Sequence, residues 1–355
     1  MIKNILNISK AVYSAQKNEE IFHLIYFVTA RCNARCKFCF YLDNIELANQ
    51  NLSKELKIDE IKQIFKFAGY IPYISLSGGE PFLRNDLDEI IRIIIKYSKP
   101  LMISIPTNGS YPEKIEKKLN NLLNDHSETE INIQLSIDAP EKKHDEIRQI
   151  PGLFSKMIET NSVVKKLSTK YKNLSTKIVI TYSTFNQDEV EELIDFSKKN
   201  FFFNRMILSK VHGNAKGKSG LDFSHFKKLL SKVDEINKEK NNNRSLITKL
   251  SLLVKKTKEK IRSDFEKDKN LGKYCNASKK IVVLSEYGDV YPCEVLSTKL
   301  GNVKNYNYNL KSLLALNSNE FIKSNNIKSS CHCDWGCAQN VALVSNKKLW
   351  VNFVK

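Results

Sequence analysis

The chain lacks what a membrane or export role would require. No apolar run reaches the roughly 18 residues that a membrane span needs. The first twenty residues carry no apolar core of the signal-peptide kind. The expected location is therefore cytoplasmic. No long-period repeat runs through the 355 residues, so nothing points to a solenoid. Nor is the chain short of apolar residues. They make up 41% of it, which suits one large domain plus a smaller one, or two of medium size, and excludes general disorder.

Acidic residues are the scarcer charge, 39 against 57 Lys and Arg, for a formal charge of +18. Much of the excess is local: residues 216–280 hold 19 Lys/Arg and 8 Asp/Glu, a net of +11. This segment repeats Lys, Asn and Ile, and its lysines fall on the polar side of helical patterns. A solvated face is the expected meaning. An acidic peptide substrate, a reductase partner and nucleic acid are the alternatives, nucleic acid being the least expected.

What is present is alternation. "FHLIYFVT", "IPYISLS", "LMISIPTNG", "EINIQLSID", "TKIVITYST" and "FFFNRMILSKV" have the length and β-branched content of strands. Helical patterns separate them. In "IDEIKQIFKFAGY", Ile58, Ile61, Ile64, Phe65 and Ala68 share a face, and Gly69 suits the C-terminal end. About six such rounds over residues 22–212 imply parallel strands with helices packed outside. The expected fold class is α/β, a partial (β/α)6 TIM-like barrel. An open doubly wound sheet is the alternative. In either, functional groups gather at the C-terminal ends of strands. Here those ends carry a cysteine loop, "SGGEP", "TNG", "SID" and "VHGNAKG". Phe223, Phe226, Leu229, Leu230, Val233 and Ile236 then follow helical spacing and read as a core-facing stripe.

The cysteine loop, "CNARCKFC", places Cys32, Cys36 and Cys39 within eight residues. In a reducing compartment clustered cysteines are metal ligands or redox groups more often than disulfides. Structural zinc takes four ligands. The loop offers three, and His23 or His144 remains open as a fourth. A cubane [4Fe–4S] cluster has four irons, each able to take one thiolate. Three thiolates on it leave one iron for a non-protein ligand.

With its aromatic before the last cysteine, this loop resembles that of the radical S-adenosylmethionine (SAM) superfamily. "SGGEP" resembles that family's methionine-binding turn, with Ser77, Gly78, Gly79 and Glu80. "TNG" (107–109), "SID" (136–138) and "HDEIRQIPGLF" also fall where the family has them, and the resemblance covers about 22–215. It implies a [4Fe–4S] cluster on Cys32, Cys36 and Cys39 with SAM on the open iron. Cleavage of SAM would yield a 5′-deoxyadenosyl radical that takes hydrogen from a substrate carbon. Glu80 would accept from the methionine amine, Gly78 and Gly79 would let backbone approach the ligand, and Arg148 would fork the carboxylate. Ser136 and Asp138 would bond the ribose, and Phe38 would lie against the adenine. Asn108 joins the expected cofactor contacts. Taken alone, Ser136 and Asp138 read as a helix cap, Arg148 as a surface ion pair and Asn108 as a turn former.

The other five cysteines lie at the C-terminal end. Cys275 and Cys293 form Cys-x12-Gly-x4-Cys, and "CHCDWGC" supplies Cys331, Cys333 and Cys337. This resembles the SPASM and shorter twitch domains of radical SAM enzymes. A full SPASM domain would have seven cysteines, so one auxiliary [4Fe–4S] cluster is expected, in a small α+β domain. Its expected ligands are Cys275, Cys293, Cys333 and Cys337, with Cys331 spare or a replacement. A zinc ribbon, with His332 as a further donor, is the structural alternative. Tyr41, His212 and Asp334 are expected near the substrate, and Trp335 as packing.

The expected division is an N-terminal lead (1–20), a barrel (21–215), a basic helical linker (216–270), an auxiliary-cluster domain (271–345) and a tail (346–355). Peptide or protein modification is the first functional reading, although the lead is short for a leader-binding domain. A sugar or sugar-alcohol dehydrogenase is the second. RNA modification and a non-enzymatic electron-transfer protein follow. A flavodoxin- or ferredoxin-type reductant is the expected protein partner.

Overall fold

The computed structural model describes residues 10–11, 13–16, 20–125, 128–213, 215–241, 275–324 and 335–346. Six strands alternate with helices: β1 (His23–Thr29), β2 (Tyr73–Gly78), β3 (Met102–Thr107), β4 (Glu130–Ser136), β5 (Leu174–Tyr182) and β6 (Arg205–Lys210). After β1 come α1 (Leu42–Glu46) and α2 (Ile58–Ala68), and after β2 and β3 come α3 (Leu87–Ser98) and α4 (Pro112–Leu123). β4 is followed by α5 (Glu141–Arg148) and α6 (Leu153–Lys170), β5 by α7 (Val190–Asn200), and β6 by α8 (Phe223–Asn241).

These six strands are parallel and lie in sequential order from β6 to β1. No reversal interrupts them, so each right-handed crossover drops its helix on the same face. The barrel stays open: β1 pairs with β2 and β7, and β6 with β5, so the outermost barrel strands do not meet. A closed barrel and a doubly wound sheet are both excluded.

The burial pattern follows from that arrangement. In β5, Leu174, Thr176, Ile178, Ile180 and Tyr182 are buried, whereas Ser175, Lys177, Val179 and Thr181 are only half-buried. The first set lies under the helices, and the second faces the concave interior. α2 shows the complementary stripe: Ile61, Ile64, Phe65 and Ala68 are buried in the main core. Each large apolar side chain buried there stabilises the fold by about 1.5–3 kcal/mol. Glu60 Oε2 accepts from the Lys57 N–H at 2.8 Å and holds the start of α2. Gly69, at φ +70°, ends it where a Cβ would be strained.

The C-terminal part joins the same sheet. β7 (Ile281–Leu284) pairs in parallel with β1, and β8 (Asp289–Tyr291) and β9 (Gly301–Asn302) continue antiparallel. The β7–β8 turn falls at Gly288, as its spacing predicts. α9 (Leu310–Ser324) follows. α10 (Gly336–Ser345) contributes Ala338 and Val341 to an apolar cluster with Ile25 and Phe27 of β1 and Ile281 and Val283 of β7. The concave side of the sheet is therefore covered by the C-terminal helix at this point.

Two sequence expectations change. Phe223 is 55% exposed, with Lys210 Nζ 4.9 Å over its ring, so the buried stripe of α8 begins at Phe226. It continues through Leu229, Val233 and Ile236, and α8 packs on β6 and α7. Any second helix of the basic segment lies outside the described residues. α5 is a short helix that the sequence pattern does not announce. Of its side chains only His144, Ile147 and Arg148 are buried, too few for an apolar stripe.

Candidate functional site

A cavity of about 910 Å³, its mouth included, opens at the C-terminal ends of the barrel strands. Cys32, Cys36 and Cys39 line it, with Phe38, Ser77, Gly78, Gly79, Glu80, Asn108, Ser136 and Arg148. Loops after β1, β2, β3 and β4 thus converge on one space, and α5 delivers Arg148. The cysteine loop is pinned to α5 by backbone bonds: Arg35 N–H donates to Arg148 O at 3.1 Å and Lys37 N–H to Ile147 O at 3.0 Å.

The glycines of the β2 turn act on the protein itself. Gly79 N–H donates to Thr29 O and Glu80 N–H to Arg31 O, both at 2.8 Å. A Cβ on Gly78 would stand 2.4 Å from Thr29 O, and one on Gly79 2.1 Å from Arg31 O. The close backbone approach expected toward a ligand is made first toward the strand that leads into the cysteine loop. Gly79→Ala should therefore displace that loop and cost about 1–3 kcal/mol, the scale of overpacking. Urea unfolding with an unchanged m-value and a lower midpoint would record it.

Glu80 is fully buried and nearly saturated. Oε1 accepts from Phe82 N–H at 3.1 Å and Thr107 Oγ1–H at 2.9 Å, and Oε2 from Asn108 N–H at 2.8 Å. Burial pushes its carboxyl up to about 7 against these donors. A carboxylate has about four acceptor positions, so one remains for the cavity. Asn108 borders the cavity with its side chain already engaged. Its side-chain amide donates to Asn33 Oδ1 at 2.9 Å, and its Oδ1 accepts from Ser110 N–H at 3.0 Å. The residue borders the cavity while its side chain ties the β3 turn to the cysteine loop.

Asp138 is the site residue that the structure moves. It is fully buried and absent from the cavity wall. Arg148 holds Oδ2 through Nη2 at 2.6 Å and Nε at 2.8 Å, and Thr181 N–H donates to Oδ1 at 2.9 Å. Here Asp138 stands behind Arg148 rather than on the cavity wall. The same pair answers the surface reading of Arg148, which is buried and braced from behind.

The three loop thiols are partly buried at the cavity wall, which favours their protonated form. Burial pushes Cys32 up to about 12 and Cys39 to about 11, and raises Cys36 as well. Such thiols become ligands only beside a cation that deprotonates them. Among the described residues no three His, Cys, Asp or Glu side chains converge on a single-ion site. The two histidines held open as a fourth zinc ligand are elsewhere. His23 starts β1, six residues before the strand's end, with Nε2 2.9 Å from Ser75 Oγ. His144 Nδ1 accepts from Asp138 N–H at 3.2 Å. The donor set fits an iron–sulfur cluster with three protein ligands.

Cys275, Cys293 and Cys337 belong to one apolar cluster with Trp335, beside Cys32 and Cys39. Cys331, Cys333 and Asp334, like His332, lie outside the described residues. Trp335 is 2% exposed, as packing requires. His212 lines the cavity, its ring 5.4 Å from Phe40 and its Nε2 3.7 Å from Glu294 Oε2. Tyr41 does not line it. Its hydroxyl donates to the buried Glu286 carboxylate, 2.6 Å from Oε2 and 2.8 Å from Oε1.

Sequence reasoning missed Thr107 and Asn33, the residues that hold Glu80 and Asn108. Both lie inside motifs already singled out, so their polar side chains were the available signal. Thr181, Ser209 and Val211 also line the cavity. They sit in or just after strands whose apolar pattern hides them.

Residues 26–197 match the family model of the Radical SAM superfamily. These residues therefore carry the features of a radical SAM domain. Its curated relatives include GTP 3′,8-cyclase of Helicobacter pylori, 28% identical over 207 residues, 56% of this chain and 59% of that protein. The same enzyme of Clostridium perfringens is 28% identical over 61% of this chain and 64% of its own. The chain thus spans less than two thirds of these relatives. Among solved structures, Streptococcus suis SuiB superposes with a TM-score of 0.56 at 19% identity, over 84% of this chain and 67% of that one. Polyhistidine-tagged anSMEcpe with bound AdoMet gives 0.58 at 20%, over 85% and 82%. At these identities the likeness is one of fold. No helix among the described residues is long and apolar enough to cross a membrane.

Proposed function

We propose that this enzyme holds a [4Fe–4S] cluster on Cys32, Cys36 and Cys39 with SAM on the fourth iron, and removes hydrogen from a carbon of a peptide or protein. The observation that carries the reading is one cavity bordered by three partly buried thiols, Glu80, Ser136 and Arg148. Cluster and SAM together supply a 5′-deoxyadenosyl radical, formed by one-electron cleavage of the sulfur–C5′ bond.

The chain's own residues bind and orient. Glu80 receives the methionine amine on its remaining acceptor position. Arg148 spends two N–H groups on Asp138 and offers the others to the methionine carboxylate, with Ser136 as a further donor. Asp138 is a positioning residue that acts through Arg148. Phe38, 8% exposed in a small apolar cluster, offers a wall for the adenine. Gly78 and Gly79 keep the methionine turn close against the cysteine loop. An auxiliary [4Fe–4S] cluster would draw on Cys275, Cys293, Cys333 and Cys337, with Cys331 in reserve. A flavodoxin- or ferredoxin-type protein would supply electrons.

The fold likeness supports the peptide reading because it extends over most of the chain. SuiB has been solved bound to its precursor peptide, and anSMEcpe with AdoMet and a peptide. The cyclases, matching 56% of this chain in the case of Helicobacter pylori, favour a small-molecule substrate as second reading.

The test is 5′-deoxyadenosine yield from anaerobically reconstituted enzyme with SAM and a strong reductant. Host extract split by size is added fraction by fraction. Stimulation by the large fraction is expected. Stimulation by the small fraction alone would transfer the reading to a metabolite. No deoxyadenosine under any condition would overturn the SAM assignment.

A further inference from the structure

The helix α1 cannot hold itself. It has five residues, and among the described residues no side chain caps its start. A helix that short gains little from its own hydrogen bonds. Yet it sets Ile45 on the cavity wall, and Phe40 just before it lines the same cavity, its ring 5.4 Å from that of His212. What fixes these residues comes from the other end of the chain. Tyr41, its ring edge-on to Phe27 at 4.8 Å, donates its hydroxyl to the Glu286 carboxylate.

Glu286 grips the same segment twice. Its carbonyl oxygen accepts from Leu56 N–H at 2.7 Å, so residues 41–56 are tied at both ends to one residue. Beside Leu56, Glu55 reaches the entry of the cysteine loop. Its Oε1 accepts from Thr29 Oγ1–H at 2.5 Å and from Ala30 N–H at 3.3 Å. The loop thus enters past Glu55 and leaves at Tyr41, and both anchors meet at Glu286. That residue is fully buried, in the turn between β7 and β8. The turn is stiffened by its own bonds: Ser285 Oγ accepts from Tyr287 N–H at 3.2 Å and from Asp289 N–H at 3.0 Å. Packing alone would not call for a carboxylate where water is excluded, since burying one is costly.

We propose that Glu286 is a positioning residue for the candidate site: through Tyr41 it sets where the cysteine loop and the Phe40 wall stand relative to SAM. The proposal rests on the reading that this loop holds the SAM-binding cluster. It gives the C-terminal hairpin a part in the barrel cavity, beyond leading to Cys293. The bond acts through geometry rather than charge, so an uncharged acceptor at the same place should serve.

The test compares the reconstituted parent with Tyr41→Phe, Glu286→Leu, Glu286→Gln and the double variant Tyr41→Phe/Glu286→Leu. Electron paramagnetic resonance of the reduced protein is recorded with and without SAM, and the component that SAM alters reports the loop cluster. Tm and deoxyadenosine yield are followed beside it. Tyr41→Phe and Glu286→Leu should each change that component and slow deoxyadenosine formation about tenfold or more, the scale of a misplaced group. The double variant should be no worse than the worse single, because both remove one bond. Glu286→Gln should stay within about threefold of the parent. Should Glu286→Leu fail to fold, Tyr41→Phe, which removes a hydroxyl alone, decides. A parent-like spectrum and yield in Tyr41→Phe, whatever its Tm, would make the pair structural only and overturn the proposal. So would effects that multiply in the double variant, or Glu286→Gln as damaging as Glu286→Leu. A parent that shows no response to SAM and forms no deoxyadenosine would overturn the SAM reading and this proposal together. An active parent with an unaffected Tyr41→Phe sinks this proposal alone.

Discussion

Alanine at Cys32, Cys36 or Cys39 should abolish 5′-deoxyadenosine formation while leaving iron at the C-terminal cysteines. The three thiols border one cavity and are buried enough to stay protonated unless a cation claims them. Removing one leaves two protein ligands on a cluster meant to keep a single iron open, and such a cluster falls apart or loses its register with Glu80 and Arg148. Iron per chain should drop by about one cluster's worth, four. The reverse holds for Cys293→Ala, which should lose the auxiliary iron. Cys331→Ala should be milder. Iron analysis, absorption spectra and product yield together decide it. Deoxyadenosine from any of the three loop variants would sink the ligand assignment, and equal iron loss from Cys331→Ala and Cys293→Ala would sink the auxiliary one.

The second large effect belongs to Arg148. Arg148→Met should destabilise the protein by about 3–5 kcal/mol, because it leaves the fully buried Asp138 carboxylate short of its cation. Asp138→Asn should be costly too, from the opposite side. Joined in one chain, the two changes should cost less than their sum, since neither leaves a lone buried charge. SAM affinity should behave differently. The double variant should regain stability and still bind SAM poorly, because the guanidinium proposed for the methionine carboxylate is gone. Denaturant midpoints and SAM titrations on the four proteins separate the effects. Full recovery of SAM binding in the double variant would confine Arg148 to a structural role.

Much of this was legible from local pattern. The six strands stand out because β-branched runs alternate with helical spacing, and the turns at their ends carry the residues that the cavity collects. Legibility stopped where partners are remote or share a short polar element. Nothing in "SID" shows that Asp138 faces Arg148 rather than solvent, since α5 has no apolar stripe to announce its packing. "TNG" does not reveal that Asn108 reaches back 75 residues to Asn33. "KIVVL" reads as a strand, but its parallel place beside β1 depends on contacts some 258 residues apart (His23 with Ile281), beyond any periodicity argument.

That place beside β1 has a consequence for how the chain can be cut. A sheet is most vulnerable at an unpaired border, where exposed N–H and C=O groups template association with other chains. Among the described residues the border on this side of the sheet is β9, a strand of two residues. Ending the chain after β6 would move the border to β1, seven residues long and apolar, and would uncover Ile25 and Phe27 together. The front half of the protein is thus a poor candidate for independent life. The C-terminal cysteines travel with a hairpin that also shields the barrel strands from self-association.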